Sequence, residues 1–253
     1  MGMAKLWWRA GYGRARLLHG LAYGAGWASL FAALISPLHW LGERVFTFHM
    51  IEHEIVMAVA APLMVLARPI GTMLWGLPGI VKRYSVSLVR QPQVRALWKT
   101  ISEVRNATLL HAVAIWGWHA PGLFDTAVAN VVAHRLQHLS FFVTAILFWW
   151  SVMRRGDYGV GAFHVFVTML HTSALGALMA LAPRVLYGAQ TLHSLEWGLT
   201  PIEDQQLAGV VMWIPAGTVY AGAALALTAL WISRSSKYSD QFNALPAPHL
   251  DQH

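Results

Sequence analysis

Cysteine is absent from the 253-residue chain. Disulfides, thiolate metal sites and cysteine nucleophiles are thereby excluded. Charge is scarce too: Asp, Glu, Lys and Arg make up 11% of residues, and only 11 of them are acidic. No nucleophile motif, groove-reading motif or internal repeat is visible, which leaves a hydrolase and a nucleic-acid binder without support. Apolar residues are abundant instead, at 57%, with a mean hydropathy of +0.47. That balance belongs to the membrane class. Thirteen tryptophans and 21 glycines fit it, since Trp favours membrane interfaces and Gly is common in transmembrane helices.

A hydrocarbon core about 30 Å thick needs roughly 20 apolar residues per helix. Six segments approach that length: 18–38, 47–66, 104–120, 133–152, 161–182 and 205–231. The expected fold is all-α, a polytopic membrane bundle of about six transmembrane helices. Trp118, His119 and Pro121 interrupt the third segment. The first follows Lys5, Arg9, Arg14 and Arg16, like a signal peptide, but its apolar stretch is too long and no A-x-A site follows. It reads as a retained helix.

The cationic residues sort by side. Fifteen of the 18 Lys and Arg residues lie in the N-terminus, in 67–106, in the 153–160 turn and in the tail; Arg44, Arg135 and Arg184 lie opposite. The positive-inside rule makes the first set, and both termini, cytoplasmic. The net charge of +7 is thus a matter of topology. The organisation expected is a basic N-terminus over 1–17, a bundle over 18–232, and a polar, disordered tail over 233–253. Within the bundle, 67–103 mixes basic residues with Trp, Leu and Val. It reads as a cytoplasmic linker or as an amphipathic segment lying on the lipid surface. Gly20-x-x-x-Gly24 permits close helix contact but is a weak motif by itself.

Histidines carry the functional signal. "FHMIEHE" places His49 and His53 four apart, and "HRLQH" does the same for His134 and His138. Residues four apart share one helix face. Both pairs open their segments on the outer side, where His119 also falls. Ionisable residues in spans are costly and mark functional sites. Imidazole suits copper, zinc, iron and nickel, so these five residues are the candidate metal ligands. A proton-sensing network and structural packing are the competing readings. Glu52, Asp125 and Asp204 are candidate acceptors for the second ring nitrogens. His171, at mid-span, and Met212, two turns into the last helix, are accessory candidates. His19, His39, His111 and His164 read as histidines bonding backbone carbonyls across helices.

Three blocks, "FHMIEHEIVMAVAAPLMVLARP", "WHAPGLFDTAVANVVAHRLQHLSFFVTAILFWW" and "LTPIEDQQLAGVVMWIPAGTVY", occur in order. Together they resemble the CtaG family of cytochrome c oxidase assembly factors, over about residues 20–232. The resemblance implies a polytopic, non-enzymatic protein of the bacterial inner membrane, serving maturation of haem–copper oxidases with a role in copper handling. Its partners would be oxidase subunits or other copper-handling proteins, and membrane lipid. The family's histidine blocks map onto His49, His53, His119, His134 and His138, and its acidic block onto Asp204. Members with a seventh helix exist, so one terminal span is missing here. An unrelated single-span copper chaperone with cysteines shares the family's name, and this chain does not resemble it. Two alternatives remain open on the residues: a b-type haem protein, with His53 and His138 as axial ligands, and a copper transporter, with His171, His164 and His111 continuing the path inward.

Overall fold

The computed structural model describes residues 14–68, 78–154 and 157–243. Among these residues there is no strand, and the helices are joined by turns except over 181–200, a longer connection with one 3-10 turn at Ser194–Trp197. Lys5, Arg9, Arg155 and residues 244–253 of the expected tail lie outside the described residues. The last helix runs on to Asn243, so 233–243, expected to be disordered tail, is helical.

Helix α1 (Arg14–Leu34) ends before Ser36, whose hydroxyl accepts from Leu38 N at 3.1 Å and starts the short α2 (Pro37–Gly42). Helix α3 spans Phe46–Leu66. Its middle, Ile55–Ala60, is π-helical. Pro62 accounts for this, because it has no N–H to return and its ring crowds the carbonyl four residues back. In the widened turn Ala61 N–H bonds Val56 O, and the Met57 carbonyl would need the N–H that Pro62 lacks. Trp149 supplies it: its indole N–H donates to Met57 O at 2.9 Å, deep in the core.

Helices α4 (Gly79–Arg90) and α5 (Pro92–Ile101) are amphipathic and largely exposed. They lead to α6 (Val104–Trp118), and Pro121 opens the next helix, α7 (Pro121–Ala129). The 15 residues of α6 reach about 22 Å at 1.5 Å per residue, short of a full crossing. Five helices among the described residues are long and apolar enough to cross a membrane, where six segments were expected. Asn130 Oδ1 caps α8 (Val131–Arg154) by accepting from Val132 N and Ala133 N. Helix α9 (Tyr158–Ala180) starts at Asp157. Thr200 and Glu203 form a reciprocal capping box for α10 (Pro201–Asn243).

Packing fixes the directions. Arg154, at the end of α8, donates to Val65 O near the end of α3 at 3.0 Å, while the histidines of both helices lie near their starts. The two helices therefore run parallel. Helices α9 and α10 form the most extensive pair. Glycine is required at their crossing: a Cβ on Gly176 would lie 2.8 Å from Trp213 N, and one on Gly209 would lie 2.6 Å from Gly176 O. The core between α3, α8 and α10 is filled by Phe46, Phe141, Phe148, Trp149, Met212 and Tyr220. Leu18, Leu21, Phe31, Phe163, Leu170 and Leu225 point outward, as a lipid-facing surface requires.

Candidate metal centre

The start of α3 is secured from another helix. Val45 offers no side-chain cap, so the first N–H groups of α3 need an acceptor. Asp204 of α10 provides it: Oδ2 accepts from Phe46 N at 2.8 Å and Oδ1 from Thr47 N at 2.9 Å. The Thr47 and Ser194 hydroxyls donate to the same carboxylate, each at 2.7 Å. A carboxylate at a helix N-terminus also meets the positive end of the helix dipole. Asp204 thus sets the position of the histidine-bearing turn and bonds no histidine ring.

His49 and His53 follow on successive turns of α3, their ring centroids 4.3 Å apart. His134 and His138 stack on α8 at 4.6 Å with a 17° interplanar angle. The two pairs face each other across the helix interface. His49 lies 5.4 Å from His134 and His53 lies 5.0 Å from His138. His119, just past the end of α6, lies 6.2 Å from His53. One ring nitrogen from each of His49, His53 and His138 falls within 4.8 Å of the others. Phe124 and Phe141 wall the group, at 5.3 Å from His49 and 4.8 Å from His53.

Burial makes this costly. His49, His53, His119 and His138 are all buried, yet both nitrogens of His49 and of His53 lack a hydrogen-bond partner. So do Nε2 of His119, His134 and His138. Buried polar atoms are normally satisfied, and one left bare costs about 1–3 kcal/mol. Seven such nitrogens at one place form a donor set that fits a borderline transition metal. His119 is held in one orientation. Its Nδ1 bonds Ile115 O at 2.7 Å, which assigns the proton there and leaves the Nε2 lone pair free. The carbonyl of His119 accepts from Tyr187 O–H at 2.7 Å, and burial pushes that phenol up to about 12, so it remains a donor.

Two features were not read from the sequence. His39, expected to bond a backbone carbonyl, instead meets Glu52: its Nδ1 lies 3.1 Å from Oε1 of that buried carboxylate. Its ring is 5.7 Å from His134 and 6.1 Å from His138. The Ser36–Pro37 cap, which starts a separate short helix, is the signal that could have placed it at this end. Gln137, beside His138, is buried with both amide atoms unpartnered. Glu52 therefore does bond a histidine, through His39, and its close neighbour is Gly42, where a Cβ would lie 2.8 Å from the carboxylate.

The other accessory candidates make different contacts. The buried Oδ1 of Asp125 has no hydrogen-bond partner. Met212 belongs to the apolar core. His171 accepts from Trp116 Nε1 at 3.3 Å, His111 bonds the Thr144 hydroxyl at 3.0 Å and His164 bonds the Thr108 hydroxyl at 3.1 Å. These three use side-chain partners and stand outside the cluster.

Comparisons with known proteins identify relatives and a family. The chain is 27% identical over 212 residues to an uncharacterized protein, Mb0105, of Mycobacterium bovis, and equally to MT0111 of Mycobacterium tuberculosis. The matches cover 76% of this chain but 31% of each relative, so the chain spans about a third of their length. No solved structure matches it. A family model described as cytochrome c oxidase caa3 assembly factor matches residues 1–234, nearly the whole chain. With its helix bundle and histidine-rich end, the chain belongs to that family, Caa3_CtaG.

Proposed function

We propose that this assembly factor holds copper as cargo in the histidine cluster and passes it to an apo-subunit of the oxidase. The observation that carries the reading is the convergence of unpartnered, buried imidazole nitrogens of His49, His53 and His138, with His119 within reach. These side chains would hold the ion and exclude water from it, while His134 and His39 sit between it and the surface. No thiolate is available, and an all-imidazole site releases its ion to a better ligand set more readily than a thiolate site would. That suits a donor. We read the cluster as lying at the outer face of the bacterial inner membrane and the protein as non-catalytic, with oxidase subunits as partners.

The alternatives have less behind them. A haem would need a planar slot between two axial imidazoles, and the rings here pack against one another and against Phe124 and Phe141 at 4.3–6.2 Å. A transporter needs a continuous polar path, and His111, His164 and His171 make separate side-chain bonds away from the cluster.

The test is in cells. Replacing His49 and His53 together with Ala is expected to lower the copper content of the purified oxidase, and its activity, by at least about ten-fold at limiting copper, with partial rescue by added copper. An oxidase with full copper content from the variant strain would contradict the proposal.

A further inference from the structure

A cavity of about 280 Å³ opens beside the cluster, lined by His39, Glu43, His134, Arg135 and Gln190 together with small apolar residues. We propose that this cavity is the acquisition site for the incoming metal cation, with Glu43 and His39 as the capturing groups and His134 as the ring that passes the ion inward. The inference rests on reading the cluster as a metal site and adds its entrance.

The geometry is graded from water to interior. Glu43 is 55% exposed at its side chain, and its Oε1 lies 3.9 Å from Nε2 of His39. The other nitrogen of His39 meets Glu52, which is 0% exposed. One imidazole thus joins a carboxylate in water to a carboxylate in the core. Beyond it the rings form steps of similar size: His39 to His134 at 5.7 Å, His134 to His138 at 4.6 Å, and His138 to His53 at 5.0 Å. Nε2 of His134 is buried and has no hydrogen-bond partner.

The ligand types change along this path. At the mouth a cation meets Glu43, His39 and His134, with Glu52 behind His39; further in, the rings of His138, His53 and His49 supply nitrogen. Calcium and magnesium need oxygen ligands, so the interior is a poor host for them. Copper or zinc gains nitrogen ligands at each step. Arg135 also lines the cavity and opposes the charge of Glu43. Capture therefore depends on ligation at short range more than on a long-range field, and Arg135 slows entry.

The experiment uses the full chain in detergent, mixed rapidly with Cu²⁺ and followed by quenching of tryptophan fluorescence, with metal content measured at equilibrium. The Glu43→Gln/His39→Gln double variant should load at least about ten-fold more slowly, within the range by which local charge alters association rates, yet still fill the inner site formed by His49, His53 and His138. Arg135→Gln should load faster, most clearly at low salt. Should the double variant fail to fold, Glu43→Gln alone, at an exposed position, still reads the rate. An unaltered loading rate would overturn the entrance, as would loss of the inner complement in proportion to the rate. A wild-type chain that takes up no Cu²⁺ would instead overturn the cluster reading on which the entrance depends.

Discussion

At the scale of single residues, the histidine cluster depends on a side chain that bonds none of its rings. Asp204 accepts two backbone N–H groups and two hydroxyls, so removing its carboxylate leaves both N–H groups and the Ser194 hydroxyl bare, while the Thr47 hydroxyl keeps the backbone carbonyl of residue 204 at 3.3 Å. Asp204→Ala is expected to destabilise the chain by about 2–4 kcal/mol, from a lost cap and unsatisfied donors, and to weaken metal binding as the first turn of α3 frays. Thermal unfolding in detergent checks this, and an unchanged Tm would contradict it. The histidines themselves set a pH dependence. Metal binds neutral imidazole, so protons compete and affinity must fall as pH falls. Cu²⁺ binding should therefore weaken steadily as the solution is acidified. Affinity that falls nowhere between pH 7.5 and the acid limit of the folded chain, by isothermal titration, would count against imidazole ligation.

At the scale of elements, legibility followed periodicity. The i, i+4 pairs were visible because helical spacing alone places His49 with His53 and His134 with His138 on common faces. Their meeting across the α3–α8 interface was not, since it depends on two helices running parallel side by side. The π-helical turn was hidden for a related reason: Pro62 signals a disturbance, but the Trp149 bond that compensates for it comes from 92 residues away. Asp204 was legible as an important acid and misplaced in role, because a cap supplied from another helix has no local signature. His39 was missed because the short helix that carries it, α2, holds no second histidine at helical spacing. The α9–α10 crossing gives an element-scale prediction. Gly209→Leu forces a side chain into the backbone of α9, where even a Cβ is too close. Overpacking costs about 1–3 kcal/mol in adaptable cores, and this contact is with backbone that cannot rotate away. The variant should lose at least that much stability in urea or thermal denaturation; wild-type stability would show that the helices are not so close.

At the scale of the whole molecule, scarcity of charge and long apolar runs were enough to read an all-α membrane bundle. The number of crossings was less secure, because α6 ends at Trp118 and falls short of the others in length. Gathering the histidine-bearing ends of α3 and α8 at one place, with His119 beside them, is the work of the bundle as a unit. A chain built this way exposes apolar surface to lipid and gathers its buried histidine cluster at one end.

The central claim is that those side chains hold copper. The direct measurement is metal content by mass spectrometry, together with an absorption spectrum, on protein purified in detergent from copper-supplemented cells. The account predicts near-stoichiometric copper without a Soret band, lost when His49, His53, His134 and His138 are all replaced by Ala. A Soret band, or a preparation with no copper that takes none up on addition, would contradict it.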